Sequence, residues 1–184
     1  MRVITGTAKG IQLKAPEGLL TRPTGDRTKV GMFNILQFDI YGDVLDLFGG
    51  TGQLGIEALS RGADFATFVD GRQEAVSMIR ENLARTKLEK QAEVILSDYM
   101  NFLKTCRKKY HLIFLDPPYA EKYLENSLKF ISEIDILSEN GIIITERPVD
   151  KRLDGDFPGL TRSRDYKYGK TFITLFRKEG SASE

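Results

Sequence analysis

Four aspartates stand at the ends of short apolar runs: Asp46 after DVL, Asp70 after ATFV, Asp98 after EVILS and Asp116 after HLIFL. Carboxylates accept hydrogen bonds from hydroxyl and amino groups, and open α/β sheets bind ligands beyond the carboxyl ends of their strands. The four are therefore expected to line one crevice. Any one of them alone reads equally well as a helix cap; four in series make a site. The first opens a glycine loop, DLFGGTGQLGIEALSRGA, from Asp46 to Ala63. Gly49, Gly50 and Gly52 let the backbone approach a ligand and permit positive φ, and a helix starting near Leu54 aims its amide dipole into the same space. Gly50, Gly52 and Gly55 satisfy GxGxxG, with Asp70 eighteen residues past Gly52, where a ribose-binding acid is expected. That pattern alone leaves a nicotinamide cofactor and S-adenosylmethionine both open.

The fourth acid separates the two. Asp116 begins the turn Asp116-Pro117-Pro118-Tyr119, and two successive prolines fix a rigid, extended strand exit. Pro117 has no amide hydrogen, so its carbonyl and the Asp116 carboxylate form two acceptors with no donor between them, a pair suited to an amino group. Tyr119 offers a flat face on which a base can stack, worth about 1–3 kcal/mol. A nicotinamide enzyme has no use for this turn.

The elements that position these residues follow from periodicity. β-branched and aromatic runs alternate with segments of helical period, the pattern of βαβ units and a parallel sheet. Strands are expected at 43–48, 66–70, 93–98, 111–116 and 141–146, with helices near 54–61, 72–86, 99–108 and 121–136. In the second helix Ala75, Met78, Ile79, Asn82 and Leu83 form a mostly apolar stripe that faces the core. RVITGTAKGIQLKAP reads as a hairpin turning near Thr7 to Gly10, followed by a linker, LLTRPTGDR, and a short helix through Met32, Phe33, Ile35 and Leu36. LTRSRDYKY and TFITLFRK meet at Gly169 and Lys170 and read as an antiparallel pair at the sheet edge. The expected organisation is an N-terminal extension over residues 1–40, a nucleotide-binding domain over 41–178 and a disordered tail over 179–184.

Composition narrows the function classes. The net charge of the 184 residues is +1, but it is unevenly spread. Residues 1–34 carry six Lys or Arg against Glu17 and Asp26, residues 160–178 carry six against Asp165, and residues 35–159 hold 15 basic and 21 acidic side chains. Basic ends of this kind would meet a phosphate-rich partner first. A single cysteine, Cys106, and a single histidine, His111, provide neither a disulfide nor a metal-ligand cluster. No apolar run is long enough for a signal peptide or a membrane span, so a cytoplasmic protein is expected.

With the DxFxGxG loop and DPPY in place, the sequence resembles methyltransferases that modify exocyclic amines. RVITGTAKG, RPTGDRTKVGMFNIL, DLFGGTGQLGIEALSRGA, DPPY and the terminal YGKT make it more closely similar to the RsmD family, bacterial 16S rRNA guanine-N2-methyltransferases. That resemblance implies a Rossmann-like class I S-adenosylmethionine-dependent fold: a seven-stranded, mostly parallel sheet, a C-terminal antiparallel pair and an N-terminal β-hairpin extension. It also implies that Gly49, Gly50 and Gly52, with Asp46 and Thr24, hold the cofactor. Asp70 would bind its ribose and Asp98 its adenine amine. Asp116, Pro117, Pro118 and Tyr119 would hold the target guanine, and Lys9, Lys14, Arg22 and Arg27 would engage RNA. The implied partner is 16S rRNA in the small ribosomal subunit, with no metal or membrane, and the enzyme is expected as a monomer. Val30 and Gly31 stand where the family usually has an acid and alanine, and Gly31 is expected to loosen its helix. An adenine- or glutamine-directed methyltransferase, a nicotinamide-dependent oxidoreductase and a non-catalytic RNA-binding module are the alternatives.

Overall fold

A computed structural model describes residues 1–16, 23–118 and 122–180, with the side chains of residues 23–26 left aside. Five parallel strands form its centre: β1 (Asp43–Asp46), β2 (Phe65–Asp70), β3 (Ala92–Leu96), β4 (Tyr110–Leu115) and β5 (Leu137–Pro148). Three more, β6 (Leu160–Arg162), β7 (Tyr166–Tyr168) and β8 (Thr171–Lys178), close one side. The order is β3-β2-β1-β4-β5-β8-β6, with β7 also paired to β8, so that β6 and β7 share the edge position. β8 runs antiparallel to β5, β6 and β7. The chain builds outward from β1 to β3, then crosses to β4, which lies against β1. The loops after β1 and β4 thus diverge from the topological switch point, the place where such sheets bind ligands.

The helices follow the expected amphipathic pattern. α2 (Gln53–Arg61) and α3 (Gln73–Thr86) cover one face of the sheet, where Val44, Phe68, Leu112, Phe114, Ile142 and Ile144 form one apolar cluster with Ile56, Leu59, Ile79 and Leu83. α4 (Tyr99–Thr105) and α5 (Tyr123–Ile134) cover the other, with Leu103, Leu124, Leu128 and Ile131 against Leu45, Ile113, Leu115 and Ile143.

The N-terminal segment forms the expected reversal. Arg2 and Gln12 bridge antiparallel, and the Gly10 amide donates to the Val3 carbonyl at 2.9 Å. Val3, Ala8 and Leu13 belong to the same apolar cluster as α2 and the sheet. The hairpin is clamped to α2 by a carboxylate that the sequence reading missed. Glu57 is fully buried and accepts from the Ile4 amide at 2.7 Å, the Thr5 amide at 3.0 Å and Arg61 Nε at 2.8 Å. Lys29 Nζ lies 3.8 Å from the same carboxylate, nearly as buried.

Two expectations need correction. The helix α1 runs over Pro23–Ile35 and takes in much of what reads as linker; proline at a first helical position is pre-set for the helix and gives up no bond there. LTRSRDYKY is not one strand: it breaks between Arg162 and Tyr166, where Asp165 turns to Arg147 at 2.5 Å and to Thr174 Oγ1 at 2.6 Å. The β7–β8 connection is the two-residue turn anticipated at Gly169 and Lys170, with Gly169 at φ 60 as right-twisted hairpins require. Gly31 has a packing role: a Cβ there would fall 2.5 Å from the ring of Tyr168. Glycine lets α1 lie against β7.

Candidate active site

The glycine loop is built from the end of β1 back toward β2. The Gly49 amide donates to the Val69 carbonyl at 2.8 Å and the Gly52 amide to the Gly49 carbonyl at 2.7 Å. Gly50 and Gly52 adopt φ of 57 and 79, which only glycine adopts freely. A Cβ at Gly55 would meet the Phe68 ring at 2.3 Å, so this glycine lets α2 settle close on β2. The loop is further tied by Asn82, fully buried on α3, whose Nδ2 donates to the Thr51 carbonyl at 2.9 Å and to the Lys14 carbonyl at 3.0 Å. Its Oδ1 accepts from the Lys14 amide at 2.7 Å. One side chain thereby fastens the glycine loop to the end of the N-terminal hairpin.

The Asp70 charge acts on Asp46 and the Asp46 charge on Asp116, whereas the Asp98 carboxylate is engaged by the first turn of α4. Asp70, at the end of β2, accepts the Gly50 amide through Oδ2 at 2.9 Å and the Arg72 amide through Oδ1 at 2.9 Å. Arg72 Nε reaches it at 3.2 Å from a side chain that is mostly in solvent. Asp46 is 2% exposed and accepts the Gly55 amide at 3.1 Å. Burial raises its pKa to about 7, against the Gly55 hydrogen bond and with help from the Asp70 charge. Asp46 thus secures the first turn of α2. Asp98 is exposed and caps α4, accepting the Met100 and Asn101 amides through Oδ1 at 2.9 and 3.1 Å. Its loop still adjoins the one after β2, since a Cβ at Gly71 would lie 4.0 Å from Asp98 Cα.

Asp116 is half-buried where β4 ends, and burial, the Glu146 charge and the Asp46 charge together hold its carboxyl well above the usual range. Pro117 is buried and Pro118 exposed. Both prolines line a cavity of about 290 Å³ with Lys122, Leu124, Glu146 and Lys151. Phe48, Tyr99 and Tyr123 join the loops after β1, β3 and β4 in one aromatic cluster, with ring centroids 5.3 to 6.1 Å apart. Tyr119 and Arg22 lie outside the described residues, as does the side chain of Thr24. Lys9 and Arg27 are exposed, whereas Lys14 Nζ is held at 2.6 Å by Glu81. Among the described residues no group of three or more His, Cys, Asp and Glu side chains could hold a metal, and no helix is long and apolar enough to cross a membrane.

Three carboxylates and a glycine loop at a switch point can hold a nucleoside, and the DPP turn beside a cavity can hold an amine. Known proteins match this chain over most of its length. A family model, "Conserved hypothetical protein 95", matches residues 1–177. The Bacillus subtilis protein "Putative rRNA methyltransferase YlbH" is 40% identical over 98% of this chain and 100% of its own. Ribosomal RNA small subunit methyltransferase D of Haemophilus influenzae is 36% identical over 83% of this chain and 81% of its own. Among solved structures, "Putative methyltransferase yhhF" from Escherichia coli superposes with a TM-score of 0.87 at 32% identity, covering 97% of this chain and 98% of that one. The fold is the Rossmann-like methyltransferase fold, and the chain belongs to the RsmD family of ribosomal RNA methyltransferases.

Proposed function

We propose that this protein transfers a methyl group from S-adenosylmethionine to the exocyclic 2-amino group of a guanine in 16S rRNA of the small ribosomal subunit. The observation that carries the reading is the placement of Asp116 and Pro117, two acceptors at the switch point, beside a cavity of about 290 Å³ and across from the glycine loop. That volume is at the small end of ligand clefts, roughly 300–1,000 Å³. It suits a single base.

The residues present fit the cofactor. Gly50 at φ 57 leaves open space where a side chain would stand, with the Phe48 carbonyl the nearest atom at 3.8 Å, and Asp70 sits directly behind its amide. Asp70 would take the ribose hydroxyls, Gly49, Gly50 and Gly52 the methionine end, and the loop at Asp98 the adenine. Asp46 would support this set by fixing Gly55, and we assign Thr24 to the same set. When bound, S-adenosylmethionine supplies a methyl group already activated by its sulfonium.

The chain has then to align and hold the amine. Alignment alone is worth about 7–11 kcal/mol. The guanine amine is a weak nucleophile because its lone pair is delocalised into the ring. Asp116 and the Pro117 carbonyl accept its two protons and so favour a pyramidal nitrogen and the positive charge that develops there. Once the amine carries the methyl group it would hold one proton too many, and the Asp116 carboxylate or water would take that proton. Tyr119 would stack on the flipped base. Lys9, Lys14, Arg22 and Arg27, in an N-terminal extension over residues 1–40, would approach RNA phosphates, with Lys14 first leaving Glu81.

Labelled-methyl transfer to small ribosomal subunits from cells lacking this activity tests the reading. Digestion to nucleosides should place the label in N2-methylguanosine, dependent on S-adenosylmethionine. Label in an adenosine, or none, would overturn it.

A further inference from the structure

Glu146 is a fourth carboxylate in the row. Leu112 and Phe114 of β4 and Ile142 and Ile144 of β5 all lie in the apolar cluster on one face of the sheet. Side chains alternate along a strand, so Asp116 and Glu146, two residues further on, leave the same face. Leu115 is paired with Thr145 in the parallel register, which makes Asp116 and Glu146 neighbours on the next rung. Glu146 also borders the cavity beside Pro117 and Pro118. Its charge is one reason the Asp116 carboxyl resists ionisation. Like charges side by side on a sheet weaken it, and a ligand that presents two adjacent donors would relieve that repulsion.

Guanine and adenine differ at this point. On its pairing edge guanine shows two adjacent donors, N1–H and the 2-amino group. Adenine shows an amino group beside the bare lone pair of N1. Two neighbouring carboxylates welcome the first and repel the second.

We propose that Glu146 accepts the N1–H of the target guanine while Asp116 and the Pro117 carbonyl hold its 2-amino group, so that Glu146 sets the preference for guanine over bases that lack an N1 proton. This rests on the guanine-N2 reading above. Adenine is excluded because its N1 lone pair would face a carboxylate in a partly buried site, where an unmatched polar contact is costly. Glutamine at the same position would offer an amide donor to such a lone pair.

The test uses the full-length protein and small-subunit particles reconstituted on 16S rRNA that carries either guanine or 2-aminopurine at the target. 2-Aminopurine keeps the 2-amino group and has no N1 proton. The wild-type enzyme should favour guanine in kcat/KM by roughly ten- to hundredfold. Glu146→Gln should lower the guanine rate and raise the 2-aminopurine rate, bringing the ratio to about one or below. A gain on 2-aminopurine cannot come from misfolding. Glu146→Asp, which keeps the acceptor, should retain the guanine preference. An unchanged ratio in Glu146→Gln, with normal guanine methylation by the wild type, overturns the assignment of Glu146 alone. A wild-type enzyme that leaves guanine unmodified removes the guanine-N2 reading and this proposal with it.

Discussion

Gly50 and Asp70 are joined by a 2.9 Å hydrogen bond from the loop amide to the carboxylate at the end of β2. The bond fixes the loop conformation before any ligand arrives, and it places an acid directly behind Gly50, the glycine of this loop at which a side chain would meet open space. Asp70→Ala should weaken S-adenosylmethionine binding at least tenfold, because hydrogen bonds to a charged acceptor are about twice as strong as neutral ones. Calorimetry on the free protein checks this. Unchanged affinity would remove Asp70 from the cofactor site.

Asp46 predicts a pH dependence of stability. Its carboxyl titrates at about 7 in the fold and at 3.8 in the unfolded chain. The folded state therefore holds the proton more tightly, and the associated stability is fully present below about pH 4 and lost as pH rises through 7. Asp46→Asn cannot titrate and keeps an acceptor for the Gly55 amide. Relative to wild type it should gain stability between pH 5 and pH 8, on the order of 2–4 kcal/mol. Denaturant melts at the two pH values read the difference, and a constant offset would show that Asp46 is ionised throughout.

Asn82 connects two segments that are far apart in sequence, Lys14 and Thr51. Asn82→Ala takes the partner from both carbonyls and from the Lys14 amide in a part-buried setting and should destabilise the protein by roughly 1–3 kcal/mol. Hydrogen exchange should rise at the Lys14 amide and through the glycine loop. Faster exchange at neither place would mean that the loop is held by other contacts.

Lys122, Lys151 and Arg152 are exposed on the rim of the cavity, and none forms an ion pair with another described residue. Replacing all three with alanine should weaken RNA binding and flatten the slope of log K against log salt by about 2–3, since each lost phosphate contact releases fewer counterions. Lys14→Ala alone should change the slope less than Lys9→Ala, because Lys14 is engaged by Glu81. Equal salt slopes in wild type and the triple variant would place the RNA elsewhere.

The strands were legible because β-branched runs and alternating helices are local signals, and the observed β1 to β4 and α2 to α5 match them closely. What escaped depends on distant partners. Nothing near Glu57 in sequence announces that it will cap the Ile4 and Thr5 amides, and Asn82 reads as part of an apolar stripe until Lys14 and Thr51 meet it. Asp165 breaks the penultimate strand because Arg147 and Thr174 reach it from β5 and β8. Gly31 reads as a weak point in α1, and its value appears only once Tyr168 lies against it. Among the acids, the four aspartates stood out as strand ends, yet Glu146, the last residue of GIIITE, is the one that shares a rung with Asp116. Asp98 is instead spent on the α4 amides.

Asp116 is the centre of the account, and single-turnover methyl transfer to small subunits at saturating S-adenosylmethionine tests it most directly. As the acceptor of an amine proton it must be ionised, and its carboxyl is held well above the usual range, so the wild-type rate should rise with pH beyond the span of ordinary carboxylates. Asp116→Ala should bind the cofactor as wild type does, lose this rise, and turn over about 100- to 1,000-fold more slowly, the loss expected for one preorganised electrostatic contact. An Asp116→Ala enzyme that methylates at near-normal rate, with the same pH profile, would contradict the account.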